Sequence, residues 1–258
     1  MIVGTCGVPF VYECYVMRAD MVLVERKLAD SRQKAKELIE TGAVTANGHI
    51  IKKASQSLSL RADIVIDSPL KNWVSRGALK LLGGLEAFPD ISVAGKVAVD
   101  LGASTGGFSQ VLLAHDVSHV FAVDVGHSQL SDKIAKSPRV TSLEKCNARF
   151  LTTAELSLPF QLIVCDVSFI SLTLALPPAM ALASPGAQMI ALIKPQFEVG
   201  RHGLDKGGIV KDESLRDEVV QQISDFIREQ GWQVIGVTTS PIKGPDGNIE
   251  YLIGATKV

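Results

Sequence analysis

The stretch Val97-Ala98-Val99-Asp100-Leu101-Gly102-Ala103-Ser104-Thr105-Gly106-Gly107-Phe108 constrains this chain more than any other. An apolar run of strand length passes into a loop of small residues, and that loop opens a helix. Backbone free of side chains at the C-terminal edge of a strand lets a ligand approach closely, which is how open α/β sheets build their binding crevices. The glycine spacing differs from GxGxxG and no Lys follows the loop, so a phosphate cradle is disfavoured. A second apolar strand ends at Asp124, 22 residues beyond Gly102. A carboxylate there can accept hydrogen bonds from both hydroxyls of an adenosine ribose. The competing reading is a plain glycine turn and a strand-end acid in some other α/β enzyme.

From Ser75 onward the pattern alternates. Strands are expected at Lys96–Leu101, His119–Val125, Val140–Lys145, Gln161–Asp166, Gln188–Lys194, Gln233–Thr239 and Ile249–Thr256. Helices are expected between most of them, including Gly107–Leu113, Ser168–Ala183 and Asp212–Gln230. β-Branched strands alternating with helices imply an α/β fold with a mainly parallel sheet covered on both faces. Only Pro241–Asn248 separates the last two strands, too short for a parallel crossover, so they should form a hairpin with one antiparallel strand.

The N-terminal part reads differently. Met21–Leu28 is one amphipathic turn set, and Arg32–Glu40 is a second helix with Asp30-Ser31 as its cap and Thr41-Gly42 as its end. Ala43–Thr45, the turn Asn47-Gly48 and His49–Ile51 look like a hairpin, since Asn-Gly supplies positive φ angles. Leu58–Leu60 and Asp63–Ile66 complete a small sheet. These divisions give a small α+β domain over residues 18–67, a linker over 68–74 and a larger domain over 75–258. Trp73 beside the linker either packs the two domains together or anchors the first helix of the larger one.

Charge is split between these parts. From Arg18 to Lys80 there are 12 Lys+Arg against 7 Asp+Glu, a net of +5, and the remainder carries 14 against 20, a net of −6. A basic module tethered to an acidic one suits a protein whose first domain meets phosphates. Cys6, Cys14, Cys146 and Cys165 form no CxxC pair and the five histidines do not cluster, so no metal site or disulfide framework is indicated. The stretch up to Met17 contains Glu13 and lacks a basic start, unlike a signal peptide, and Met17 is a candidate for the true start. Leu174–Ala183 is short and broken by Pro177-Pro178, far from the ~20 apolar residues of a membrane helix. A cytoplasmic protein is expected.

Six strings now point to one family: Val74–Leu81, Gly102–Phe108, Asn147-Ala148-Arg149, Asp166–Leu172, Lys194–Gly200 and Gly247–Tyr251. Arg32–Lys53 resembles the S4 RNA-binding fold, and Ser75–Tyr251 resembles the FtsJ-type methyltransferase domain. Together they resemble the TlyA family of ribosomal RNA 2′-O-methyltransferases, historically labelled haemolysins, over residues 18–257. The resemblance implies a Rossmann-like class I methyltransferase sheet, S-adenosylmethionine as cofactor, and ribosomal RNA or a ribosomal subunit as partner. It also implies a cytidine ribose as target. The chain lacks the longer C-terminal tail of members that modify both subunits, which favours the large subunit. The rivals are a membrane-active haemolysin, a non-catalytic S4-type RNA-binding protein and a nicotinamide dehydrogenase.

The family's Lys-Asp-Lys-Glu tetrad falls on Lys80, Asp166, Lys194 and Glu250. Asp166 and Lys194 each end an apolar strand, where function is expected in an open sheet. A ribose 2′-hydroxyl must lose its proton as it attacks the methyl, and a lysine shielded from water beside a second cation gives up its own proton more readily. Lys194 is therefore the candidate general base, or the group that orients the hydroxyl, with Asp166 and Glu250 positioning the lysines. Cofactor contacts are expected from Asp100, Gly102, Ser104, Gly106, Gly107, Phe108, Asp124 and Asn147. For Phe108 a core position is the equal alternative, and for Asn147 a turn cap. Arg26, Lys27, Arg32, Lys34, Lys36, Lys52, Lys53 and Arg76 are the candidates for RNA contact. Few aromatic residues are available (5% of the chain), so base stacking is not expected and RNA shape is the feature to be recognised.

Overall fold

A computed structural model describes residues 15–68 and 72–258. The expectations for residues 1–14, including Cys6 and Cys14, and for Pro69, Leu70 and Lys71 lie outside the described residues. The chain divides into two units, Met1–Asn72 and Trp73–Val258.

The first unit contains β1 (Val16–Arg18), α1 (Ala19–Glu25), α2 (Arg32–Glu40), β2 (Val44–Ala46), β3 (His49–Ile50), β4 (Ser57–Ser59) and β5 (Ile64–Ile66). Helix α2 has the expected bounds because Ser31 Oγ accepts the Lys34 N–H at 3.2 Å and Gly42, at φ +72°, turns the chain away. Helix α1 starts two residues earlier than expected and ends where Lys27 enters the left-handed region at φ +56°. Asn47 and Gly48 take φ of +51° and +77°, joining β2 and β3 in the expected hairpin. The single small sheet is corrected: β5 joins β2 and β3, while β4 pairs with β1, a strand the sequence reading did not foresee.

The second unit is built on seven strands: β6 (Val97–Leu101), β7 (His119–Val123), β8 (Val140–Leu143), β9 (Leu162–Cys165), β10 (Gln188–Ile193), β11 (Trp232–Thr239) and β12 (Tyr251–Lys257). Their order is β11-β12-β10-β9-β6-β7-β8. β12 runs antiparallel to both its neighbours, and the pairs among β6 to β10 are parallel. The expected hairpin is present, with its second strand inserted inside the sheet.

Helices α3 (Gly77–Ala87), α4 (Gly107–Ala114), α5 (Asp132–Ala135), α6 (Leu172–Ala175), α7 (Pro177–Leu182), α8 (Pro195–Glu198) and α9 (Glu213–Glu229) complete the unit. Alternate strand residues feed two cores, as a pleated sheet requires. Val99, Leu101, Ile163, Ala191 and Ile253 pack with α6, α7 and α9 on one face. Ala98, Val164, Ile190 and Leu252 pack with α3 and α4 on the other, and Trp73 lies against that second core. The expected helix Ser168–Ala183 is corrected to α6 and α7, because residues 168–171 are not helical and Pro177 restarts the helix as its first residue.

Candidate active site

The glycine loop shapes the cleft at the C-terminal edge of the sheet. Gly102 has φ +82°, and a Cβ there would sit 2.6 Å from the Asp166 carbonyl oxygen. Only glycine fits between β6 and the chain leaving β9. Asp124, just past β7, accepts the Ser104 N–H at 2.8 Å with Oδ2 and the Gly126 N–H at 2.7 Å with Oδ1. The cleft measures about 880 Å³ and is lined among others by Gly102, Ser104, Asp124, Asn147, Asp166 and Ser168. Asn147 caps the turn Ala148–Phe150, its Oδ1 accepting the Arg149 N–H at 3.0 Å, and it also lines the cleft.

Other loop residues lie off the cleft wall. Phe108 is 3% exposed and its ring belongs to the core beside α3, which corrects its use as a cofactor wall. A Cβ on Gly107 would meet the Ser75 hydroxyl and the Ala78 backbone, and one on Gly106 would meet Leu130 and Ile134, so both glycines serve close packing. Asp100 is fully buried; its Oδ2 accepts the Ser109 hydroxyl at 2.6 Å and its Oδ1 has no partner. Burial pushes its carboxyl up to about 7.

The tetrad residues form two ion pairs at the same sheet edge. Lys194, directly after β10, places Nζ 2.6 Å from Asp166 Oδ1 and donates to Ser168 Oγ at 2.8 Å. Lys80, on α3, donates to Glu250 Oε2 at 2.6 Å, and the two are 5% and 1% exposed. Ile193 pairs with Tyr251, so Lys194 and Glu250 leave adjacent strands at the same level. Gln196 Nε2 donates to Glu250 Oε1 at 3.1 Å and fixes its second oxygen.

Residues that the sequence reading missed surround these pairs. Ser168 and Gln196 touch the tetrad directly. Phe169 is 92% exposed, sits at φ +63° and lies 5.0 Å from the Phe197 ring, which lines the same cleft. A bulky residue in the left-handed region is strained, and such strain is found where surrounding structure fixes a functional side chain. Glu198, at the end of α8, accepts from Ser171 Oγ at 2.5 Å and from the Leu172 N–H at 2.9 Å, holding that loop in place; burial raises its carboxyl above the usual range.

In the first unit, Arg32, Lys36, Lys52 and Lys53 line one groove, together with Arg18, which the sequence reading missed. Asp20, 3% exposed, takes Arg18 at 2.9 Å and Arg32 at 3.0 Å, and these cations hold its carboxyl down at about 2. Arg26 and Lys27 are exposed but do not line the groove, and Arg26 bonds the Ala62 carbonyl. Lys34 is corrected: at 4% exposure it is a core residue of α2, and burial pushes its ammonium below the usual lysine range. Arg76, in the second unit, bonds the Lys243 carbonyl.

Comparison with known proteins adds to this geometry. The model of the FtsJ-like methyltransferases matches residues 73–257, and that of the S4 domain matches residues 17–65. The chain is 46% identical to the 16S/23S rRNA (cytidine-2′-O)-methyltransferase TlyA of Mycobacterium tuberculosis, over 92% of this chain and 88% of that one. It is 36% identical to the 23S rRNA (cytidine-2′-O)-methyltransferase TlyA of Campylobacter jejuni, over 91% and 97%. Among solved structures, one named as a hemolysin from Streptococcus thermophilus superposes with a TM-score of 0.76 at 35% identity, covering 94% of this chain and 89% of that one. The chain belongs to the TlyA family of FtsJ-like methyltransferases with an N-terminal S4 domain.

Proposed function

We propose that this protein methylates the 2′-hydroxyl of a cytidine ribose in ribosomal RNA, with S-adenosylmethionine as donor. The observation that carries this reading is Lys194 at the edge of the cleft, held by Asp166 and Ser168, with the buried Lys80–Glu250 pair at the same sheet edge.

The cleft suits an adenosine bearing an amino acid. Its volume is in the range of small-ligand sites. Gly102, Asp124, Asn147 and Ala148 line the cleft, and in this reading Asp124 accepts from the ribose hydroxyls while Asn147 and Ala148 border the base. When bound, the sulfonium supplies an electrophilic methyl group. Lys194 is placed to hold the 2′-hydroxyl in line and, as the free amine, to take its proton as the oxygen–carbon bond forms. Asp166 supplies the counter-charge beside Nζ. Lys80 and Glu250 brace the neighbouring strand end, and Phe169 offers an exposed ring on which an unstacked base can lie. The groove of the first unit supplies phosphate contacts, which bring affinity without sequence information.

The haemolysin reading rests on the names of relatives, and a lytic protein has no use for two organised ion pairs at a ligand cleft. Among the described residues no helix is long and apolar enough to cross a membrane. A non-catalytic S4 protein would not need the complete tetrad. Single-turnover methylation of rRNA with tritiated cofactor tests the reading. Lys194→Ala should lose about 10²–10⁴-fold or more while still binding cofactor. Lys194→Arg should not rescue, because guanidinium keeps its proton. Retention of more than about a tenth of the rate would refute the role of Lys194.

A further inference from the structure

We infer that Ser168 is a positioning residue for methyl transfer: its hydroxyl, together with Asp166, sets the direction in which Lys194 Nζ faces the cleft. The inference rests on the role of Lys194 given above.

An ammonium carries three N–H bonds on a flexible four-carbon stem. A carboxylate alone holds such a group loosely in angle, since either oxygen and several lone-pair directions will serve. Here Ser168 Oγ accepts an N–H at 2.8 Å, whereas Asp166 Oδ1, 2.6 Å from Nζ, balances the charge without an aligned hydrogen bond. The Phe197 ring, 5.8 Å from Nζ, occupies another side.

Ser168 is suited to this task by its own surroundings. It is exposed and lines the cleft, whereas Lys194 is only 7% exposed. Its oxygen accepts from Lys194, so its own proton points elsewhere. The chain that carries it is fixed at both ends. Upstream, Asp166 and Val167 lie against the glycine loop, where a Cβ on Gly102 would come within 3.1 Å of Val167 Cα. Downstream, Glu198 binds Ser171 and Leu172. A hydroxyl mounted on a segment clamped in this way makes a rigid second anchor.

The test uses the full-length protein, with Ser168→Ala and Ser168→Thr measured beside Lys194→Ala. Single-turnover methylation at saturating rRNA and S-adenosylmethionine reports the step, and calorimetry reports cofactor affinity. Ser168→Ala should slow the step on the order of 10- to 100-fold, as misplacing a reacting group does. Its cofactor Kd should stay within about twofold, showing an intact fold. Ser168→Thr keeps the hydroxyl and should recover most of the rate. A Ser168→Ala enzyme at the wild-type rate, beside an inactive Lys194→Ala, would overturn this inference alone. So would a threonine variant as slow as alanine, or an alanine variant whose loss lies wholly in cofactor affinity. A Lys194→Ala enzyme that stays active would instead overturn the reading beneath it.

Discussion

Replacing Lys80 by Met should strand a carboxylate inside the protein. Glu250 is 1% exposed, and Lys80 gives it a 2.6 Å charge-assisted hydrogen bond. Methionine preserves most of the lysine stem's apolar packing, so the loss is electrostatic and leaves little cavity. Removing one partner of a buried pair costs about 3–5 kcal/mol. The remaining hydrogen bond from Gln196, at 3.1 Å, places the expected cost at the lower end of that range. Against a typical domain stability of about 5–15 kcal/mol this is a large share. Urea unfolding followed by tryptophan fluorescence measures it cleanly, because the two tryptophans, Trp73 and Trp232, both belong to the second unit. Replacing Glu250 by Leu in the same chain removes the stranded charge and should return stability to within about 1–2 kcal/mol of wild type, since apolar substitutes for buried pairs are often neutral. Both variants should be inactive. If Lys80→Met costs less than about 1 kcal/mol, or the double variant is no more stable than the single, the pair is not the buried, mutually dependent unit described.

Two further outcomes are expected. Asp100 keeps its proton in the folded state up to about 7, whereas an unfolded carboxyl loses it near 4, so the wild type loses stability as pH rises through that window. Asp100→Asn stays neutral throughout; it should change stability little near pH 3 and stabilise by about 2–4 kcal/mol at pH 8, and a pH-independent difference in urea midpoints would contradict this. Asp124→Ala should weaken S-adenosylmethionine binding by about 1.5–3 kcal/mol through lost hydrogen bonds to a charged acceptor; an unchanged calorimetric affinity would remove Asp124 from the site.

Most strands and the longer capped helices were legible because their signals are local. Ser31 and Gly42 bracket α2, Asp212 caps α9, and apolar runs mark the sheet. Helix α3 gave no clear period, since it buries Ala78, Lys80, Leu81 and Gly84 and carries apolar residues on most sides. Lys34 differs from the other basic residues of α2 in facing the core, which its charge alone does not reveal. It lies at i and i+4 with Leu38, on the buried side of α2, and that spacing could have revealed it. The tetrad was reached through the family strings, and its pairing is a property of the fold: Lys80 and Glu250 are 170 residues apart. Ser168 and Gln196 carry no chemical signature of their own. Phe169 had one available signal, an aromatic residue directly after Ser168 in the strand-end loop, but only the structure shows that the ring is left in the open.

The placement of β12 has a kinetic meaning. Its two neighbours, β10 and β11, both precede it in the chain, yet they touch in the sheet only through it. The sheet therefore cannot be zipped up in chain order. β10 must wait with one edge unpaired while α9 and β11 are laid down, and β12 then enters a slot open on both sides. An unpaired central strand is a template for wrong partners, and non-local pairing of this kind is slow. Until that last insertion Lys80 has no Glu250 to meet, so a chain emerging from a ribosome completes the sheet and the buried ion pair in the same late step.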